Sequence, residues 1–193
     1  MKNRGYTLVE VMTAVAIFSL VLSSLTGFFM GALKSQNNNL ANQELIDSVS
    51  FSLEYISRSL RMARKDDVVA KGEMGEVNCL SQTKVNYEIS HSGQGIKFRS
   101  YKNECIDFYV EDGRLKEWKK VGEVESLNFL TPENIEIEFF VLGPSDSWDQ
   151  SDDEQPKVTL FIKAKGSRGQ SQDMQPEILV QTSISQRNLD VRY

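Results

Sequence analysis

Hydrophobic and polar positions change their spacing twice along this chain. From Val11 to Leu33 no residue is charged, and small polar residues and glycines punctuate an otherwise apolar run. As a helix those ~23 residues extend about 35 Å, enough to cross a bilayer core of ~30 Å. Beyond Lys34 the apolar residues thin to a stripe, Ile46, Val49, Leu53, Ile56, Leu60 and Ala63, at alternating steps of three and four. That is an amphipathic helix period. Glu44, Asp47, Glu54, Arg58 and Arg61 fill the other faces. With no proline or strong breaker between, the pattern predicts one helix from Tyr6 to Arg64. Asn37-Asn38-Asn39 and Asn42 are its weakest stretch, suited to a bend.

After Lys65 the period falls to two. Val85–Ile89 and Ile96–Tyr101 alternate around the turn signals Gly93 and Gly95, and read as strands. Ile106–Val110 and Leu115–Trp118 flank Glu111-Asp112-Gly113-Arg114, a strong hairpin signature. Further strands are expected at Ile135–Phe139, Val158–Ile162 and Ile178–Ile184. A helix with one apolar stripe followed by many strands defines an α+β fold, the helix packed on an antiparallel β-sheet head. The expected regions are a membrane-spanning half-helix at 6–33, an amphipathic half at 34–64 and a β-rich head at 65–193.

The net charge of −5 argues against a general basic surface, so nucleic acid is not an expected partner. Lys2 and Arg4 precede the apolar run without acids, which keeps the N-terminus cytoplasmic and exports the head. Hydropathy alone leaves two outcomes open. The apolar run is retained as an anchor, or it is a signal peptide cleaved near Ser23–Gly27.

The boundary residues carry more. A short basic leader ending in Gly5, an aromatic at Tyr6, then Thr7-Leu8-Val9-Glu10 and the apolar run, resembles the signal of type IV prepilins and type II secretion pseudopilins. The resemblance covers about residues 1–30, with tyrosine at the new terminus where the family usually has phenylalanine. It implies a leader at 1–5, cut after Gly5 by a prepilin peptidase that also methylates the amine of Tyr6. The apolar helix is then kept as a filament core, and Glu10 is the acid in the fifth place after the cut. It also implies embedding in the inner membrane as a single-pass chain before assembly, then a pilus or pseudopilus. The implied partners are the peptidase, other pilins or pseudopilins and an inner-membrane assembly platform.

Glu10 is informative on physical grounds too. A carboxylate in a spanning segment costs a few kcal/mol near the bilayer centre and less toward an end. It either snorkels to the interface or awaits a positive partner. In the family's arrangement that partner is the terminal ammonium of Tyr6 on a neighbouring subunit, and the pair fixes the axial offset of adjacent helices. Ser19, Ser23, Gly27 and Gly31 recur every four residues, a small-residue face that tolerates close helix approach.

Little else suggests chemistry. The acidic loop between Pro144 and Pro156 offers Asp146, Asp149, Asp152 and Asp153 as weak calcium candidates without the ordered spacing of a calcium loop. A solvated loop is the preferred reading, and no cofactor is expected. His91 stands between Ser90 and Ser92 without a nucleophile motif, so a surface histidine is expected. Trp118 is expected in the core and Trp148 as a loop anchor. Export favours a disulfide between Cys79, ending one strand, and Cys105, beginning another, against the alternative of two buried thiols.

Three functions compete. A filament subunit accounts for leader, Glu10 and head together. A DNA-uptake or adhesion protein on pilin machinery is the alternative, and a membrane-anchored enzyme explains only the topology. Within the first, Leu53–Ala63 and Gln181–Arg187 loosely resemble W-type minor pilins and J-type pseudopilins, implying a minor subunit. Glu10 speaks against a K-type pseudopilin.

Overall fold

One helix, α1, occupies Leu8–Arg61. The computed structural model describes residues 5–65, 79–82, 84–143, 145–148, 154–167 and 175–187. Its contacts divide the chain into two units, Met1–Ala41 and Asn42–Tyr193. The helix is unbroken through Asn37–Asn42, where a bend was expected. Asparagine is a poor helix former but costs only fractions of a kcal/mol per residue relative to alanine. α1 stops short of Arg64 because Ala63–Arg64 leaves the helix as a short strand, β1.

In the second unit the remaining strands are β2 (Tyr87–Ser90), β3 (Gly95–Ser100), β4 (Cys105–Glu111), β5 (Arg114–Val121), β6 (Val124–Phe129), β7 (Ile135–Leu142), β8 (Lys157–Gly166) and β9 (Glu177–Ser185). They make two antiparallel sheets rather than one. In the first, β1 and β2 both pair with β3, followed by β4, β5 and β6. The second runs β7-β8-β9. The predicted hairpin closes with Glu111 opposite Arg114. Its turn residues Asp112 and Gly113 both have positive φ, 54° and 70°, as a two-residue turn matching strand twist requires. The turn also joins the two sheets, since the Ile137 N–H donates to the Gly113 carbonyl at 2.8 Å.

The core forms where the polar half of α1 meets the inner faces of both sheets. Leu45, Val49, Ile56 and Leu60 from α1 join Ile96, Phe98, Phe108 and Leu115 of the first sheet and Ile137, Phe139, Leu160 and Ile162 of the second. The predicted stripe is shifted by one residue at its start. Leu45 is 2% exposed and Ile46 47%, because the buried line passes through Ser52 rather than holding strictly apolar positions. Ser52 fits there because its hydroxyl donates to the carbonyls of Ser48 and Leu130, which removes the penalty of a buried polar group. Other polar bonds tie α1 to the sheets. The Tyr55 hydroxyl donates to Glu117 at 2.7 Å, and burial with that carboxylate pushes its phenol up to about 12. The Tyr87 hydroxyl donates to the Leu60 carbonyl at 2.8 Å.

Trp118 is not in the core. It lies half-buried on the outer face of β5, opposite Asp107 and with the Lys97 ammonium 5.6 Å from its ring. Its parity follows from the hairpin register, which turns Leu115 inward. Trp148 does anchor its loop, buried with its indole N–H donating to the Lys157 carbonyl at 2.7 Å.

Gly95 shows how tightly the strands close. A Cβ built there would stand 2.8 Å from the Tyr109 Cβ and 3.1 Å from the Phe108 carbonyl, besides meeting the Ser90 hydroxyl. Gly95→Ala is therefore expected to destabilise the head by about 1–3 kcal/mol, read as a lowered urea midpoint at unchanged slope. An unchanged midpoint would show that the first sheet yields at this point.

Candidate functional site

The first unit consists of α1 from its start, and its chemistry begins at the helix boundary. Gly5, Tyr6 and Thr7 are not helical, and α1 opens at Leu8. Thr7 takes the N-cap position, its hydroxyl accepting the Glu10 backbone N–H at 3.3 Å. Thr7-Leu8-Val9-Glu10 thus has the spacing of a capping box, with the acid in the third helical position. That places the Glu10 carboxylate in the first turn, where the helix dipole favours negative charge. This second role for Glu10 was readable in the Thr-x-x-Glu spacing but hidden behind the apolar run that follows.

Every residue from Gly5 to Asn37 is exposed, including Tyr6 at 82% and Phe28 at 79%. Several polar side chains along this stretch bond locally. Ser19, Ser23 and Thr26 each donate to the carbonyl one turn earlier, at 2.8–2.9 Å. No heavy atom lies within 4 Å of a Cβ built on Gly27 or Gly31, so the small-residue face is uncovered within its own unit. A helix apolar all round, with the hydroxyls of Thr13, Ser19, Ser23 and Thr26 bonded to its own carbonyls, suits a medium without water. α1 is long and apolar enough to cross a membrane.

In the second unit Cys79 and Cys105 form a disulfide with their α-carbons 5.4 Å apart. Cys105 begins β4, as expected. Cys79 sits in a bend rather than at a strand end, so the bond ties a loop segment to the first sheet instead of joining two strands. Ser81 supports that segment, its N–H and hydroxyl donating to the two Glu88 carboxylate oxygens at 2.6 and 2.7 Å.

His91 is a surface residue whose ring stacks on Tyr109 with centroids 3.8 Å apart. Its Nε2 lies 3.6 Å from an Asp107 oxygen, while the Ser90 hydroxyl donates to the other oxygen at 2.6 Å. Burial raises the Asp107 carboxyl above its usual range, with the Ser90 bond and the charges of His91 and Lys97 pulling the other way. Serine and imidazole both face the carboxylate, which orients a turn and does not activate a nucleophile. Among the described residues no group of three or more His, Cys, Asp or Glu is placed to hold a metal ion. Of the calcium candidates, Asp149, Asp152 and Asp153 lie outside the described residues, and Asp146 belongs to the short 3-10 turn Ser145–Trp148.

Residues 1–26 match the family model of the prokaryotic N-terminal methylation motif, the signal of type IV prepilins and pseudopilins. Neither the curated proteins nor the solved structures give a match to the chain. The chain thus carries the N-terminal signal of type IV prepilins and pseudopilins, leading into a bare apolar helix with a capped start. Its signal implies processing by prepilin peptidase and assembly with other pilins. The apolar helix and the motif together mark a membrane anchor.

Proposed function

We propose that the protein is a structural, non-catalytic subunit of a type IV pilus-like filament or type II secretion pseudopilus, present as a minor component. The observation that carries this reading is the methylation motif at residues 1–26, which runs into a helix whose residues stay exposed to Asn37. An apolar surface of that length needs lipid before assembly and other helices after it. In this reading the chain sits in the inner membrane with its N-terminus cytoplasmic and its head outside. A prepilin peptidase cuts after Gly5 and methylates Tyr6, and an assembly platform draws the helix into the filament. Glu10 pairs there with the terminal amine of a neighbour.

Mass analysis of the mature chain tests the central step. The expected result is a terminus at N-methylated Tyr6. A terminus beyond Ser23 would mean an ordinary signal peptide and would end the filament reading.

The minor role rests on the resemblance of Leu53–Ala63 and Gln181–Arg187 to minor subunits. Quantified filament preparations are expected to hold this protein in trace amounts beside a smaller major subunit. Its appearance as the dominant band would leave the filament reading and remove the minor one.

A further inference from the structure

Among the described residues the second sheet ends in a long open edge. Among the described residues β9 pairs only with β8, from Glu177–Lys165 to Ser185–Lys157. Alternate N–H and C=O groups of a strand point to each side, so this edge presents an unused ladder. Proteins blunt such edges with lysine, proline, bulges or brevity. β9 has none of these. It runs nine residues, pairs in unbroken register, and carries no charge or proline from Ile178 to Gln186. The opposite edge of the same sheet differs, because β7 donates from Ile137 to the β4–β5 turn.

Beside the β9 edge lies a groove of about 860 Å³ between Ser183 and Ser185 on one side and the last turns of α1 on the other. Among the described residues its charged lining is Arg58, Arg61 and Arg187 against Glu54, a local excess of positive charge in a chain of net charge −5. Glu54 is already engaged by Arg58 at 2.5 Å, which leaves the Arg61 and Arg187 charges uncompensated among the groove's lining residues. The Arg187 N–H donates to the Arg61 carbonyl at 2.9 Å, closing one end of the groove and fixing both arginines beside the edge.

We propose that this edge and groove take an extended acidic segment of a partner protein, which adds to β9 as a fourth strand while its carboxylates meet Arg58, Arg61 and Arg187. Backbone pairing supplies the affinity and the arginines the preference. A nucleic-acid strand would use the arginines but leave the ladder of β9 idle. The inference is independent of how the N-terminal helix is used.

The test employs the full chain in detergent micelles and a fluorescent decapeptide alternating threonine or valine with glutamate. Saturable binding is expected by anisotropy. The glutamine counterpart should bind about tenfold more weakly, as the loss of two or three exposed ion pairs gives. A glutamate peptide N-methylated along one edge should not bind saturably, since its charges remain but its ladder is gone. Arg58→Gln with Arg61→Gln should lower affinity by about tenfold, with the unfolding midpoint lowered only by the loss of the exposed Arg58–Glu54 pair. Absence of saturable binding by the glutamate peptide overturns the proposal. Equal binding of the N-methylated peptide removes strand addition, and equal binding of the glutamine peptide removes the arginine role. Single-stranded oligothymidine that binds and displaces the peptide, with N-methylation without effect, would reassign the groove to nucleic acid.

Discussion

Replacing Glu10 with valine is expected to leave cleavage and membrane insertion intact and to cut incorporation into sheared filaments by about tenfold or more. The size follows from the environment of the proposed pair. Two unit charges 4 Å apart attract by about 4 kcal/mol at an effective dielectric of 20, before the cost of desolvation. A net 1.4 kcal/mol is enough for a factor of about ten. The N-terminal cap offers a competing explanation, because Glu10 also stands in the third helical position after Thr7. Glu10→Gln separates the two. The Thr7 hydroxyl binds the backbone N–H of residue 10, so either variant keeps that bond, and glutamine also keeps the side-chain half of a capping box. If charge pairing is the role, glutamine and valine both fail to incorporate. If capping is the role, glutamine assembles normally and valine does not. Normal incorporation of valine, quantified in sheared fractions, would leave Glu10 as a carboxylate that merely reaches the interface.

Much of the head was legible in the sequence because its strands alternate strictly and its turns name themselves. Asp112-Gly113 fixed the β4–β5 hairpin, and β8 shows the period of two in burial at every position from Lys157 to Gly166. β6 was not legible. Val-Glu-Ser-Leu-Asn-Phe is poor in strand formers, and all six residues are exposed, so no buried face imposed a pattern. Its one signal was the turn at Gly122, with φ of 60° and Val121 opposite Val124. The split into two sheets was equally hidden. It depends on Thr131, whose side chain accepts from Leu115 and whose carbonyl accepts from Arg114, turning the chain away before β7. Such long-range bonds leave no period. The stripe on α1 was displaced for a related reason, since burial of Ser52 depends on the Leu130 carbonyl across the core.

At the N-terminus the balance reverses. The methylation motif and the apolar run were readable at once, and the structure adds the cap by Thr7 and the complete exposure of the segment. Exposure is the fact that sequence cannot supply. A run of 23 apolar residues is compatible with a buried core helix as well as a membrane span. Only the uncovered side chains from Gly5 to Asn37 show that this unit keeps no core of its own.

Replacing both Cys79 and Cys105 with alanine is expected to lower the stability of the head by about 3 kcal/mol, or about 6–12 °C in Tm for a chain of this size. The bond closes a loop with a sequence separation of 26 that contains β2 and β3. On the chain-entropy account most of the effect lies in the unfolded state, whose loop gains freedom when the link is cut. The folded state gives a further reason to expect a loss. Cys79 belongs to no strand, and besides the disulfide its segment is held by the burial of Leu80 and by the Ser81 bonds to Glu88. Those bonds are partly exposed and worth less than the covalent link. Loosening should therefore start in the Cys79–Gln82 segment and reach β2 through Glu88, whose strand covers the edge of β3. Hydrogen exchange at β2 should rise in the double variant before exchange at β4 or β8 does. Mass analysis of the exported chain with and without reductant should differ by two hydrogens. A mass equal to two free thiols after export would rule the bond out of the working protein, and the alanine variant would then show no loss of stability.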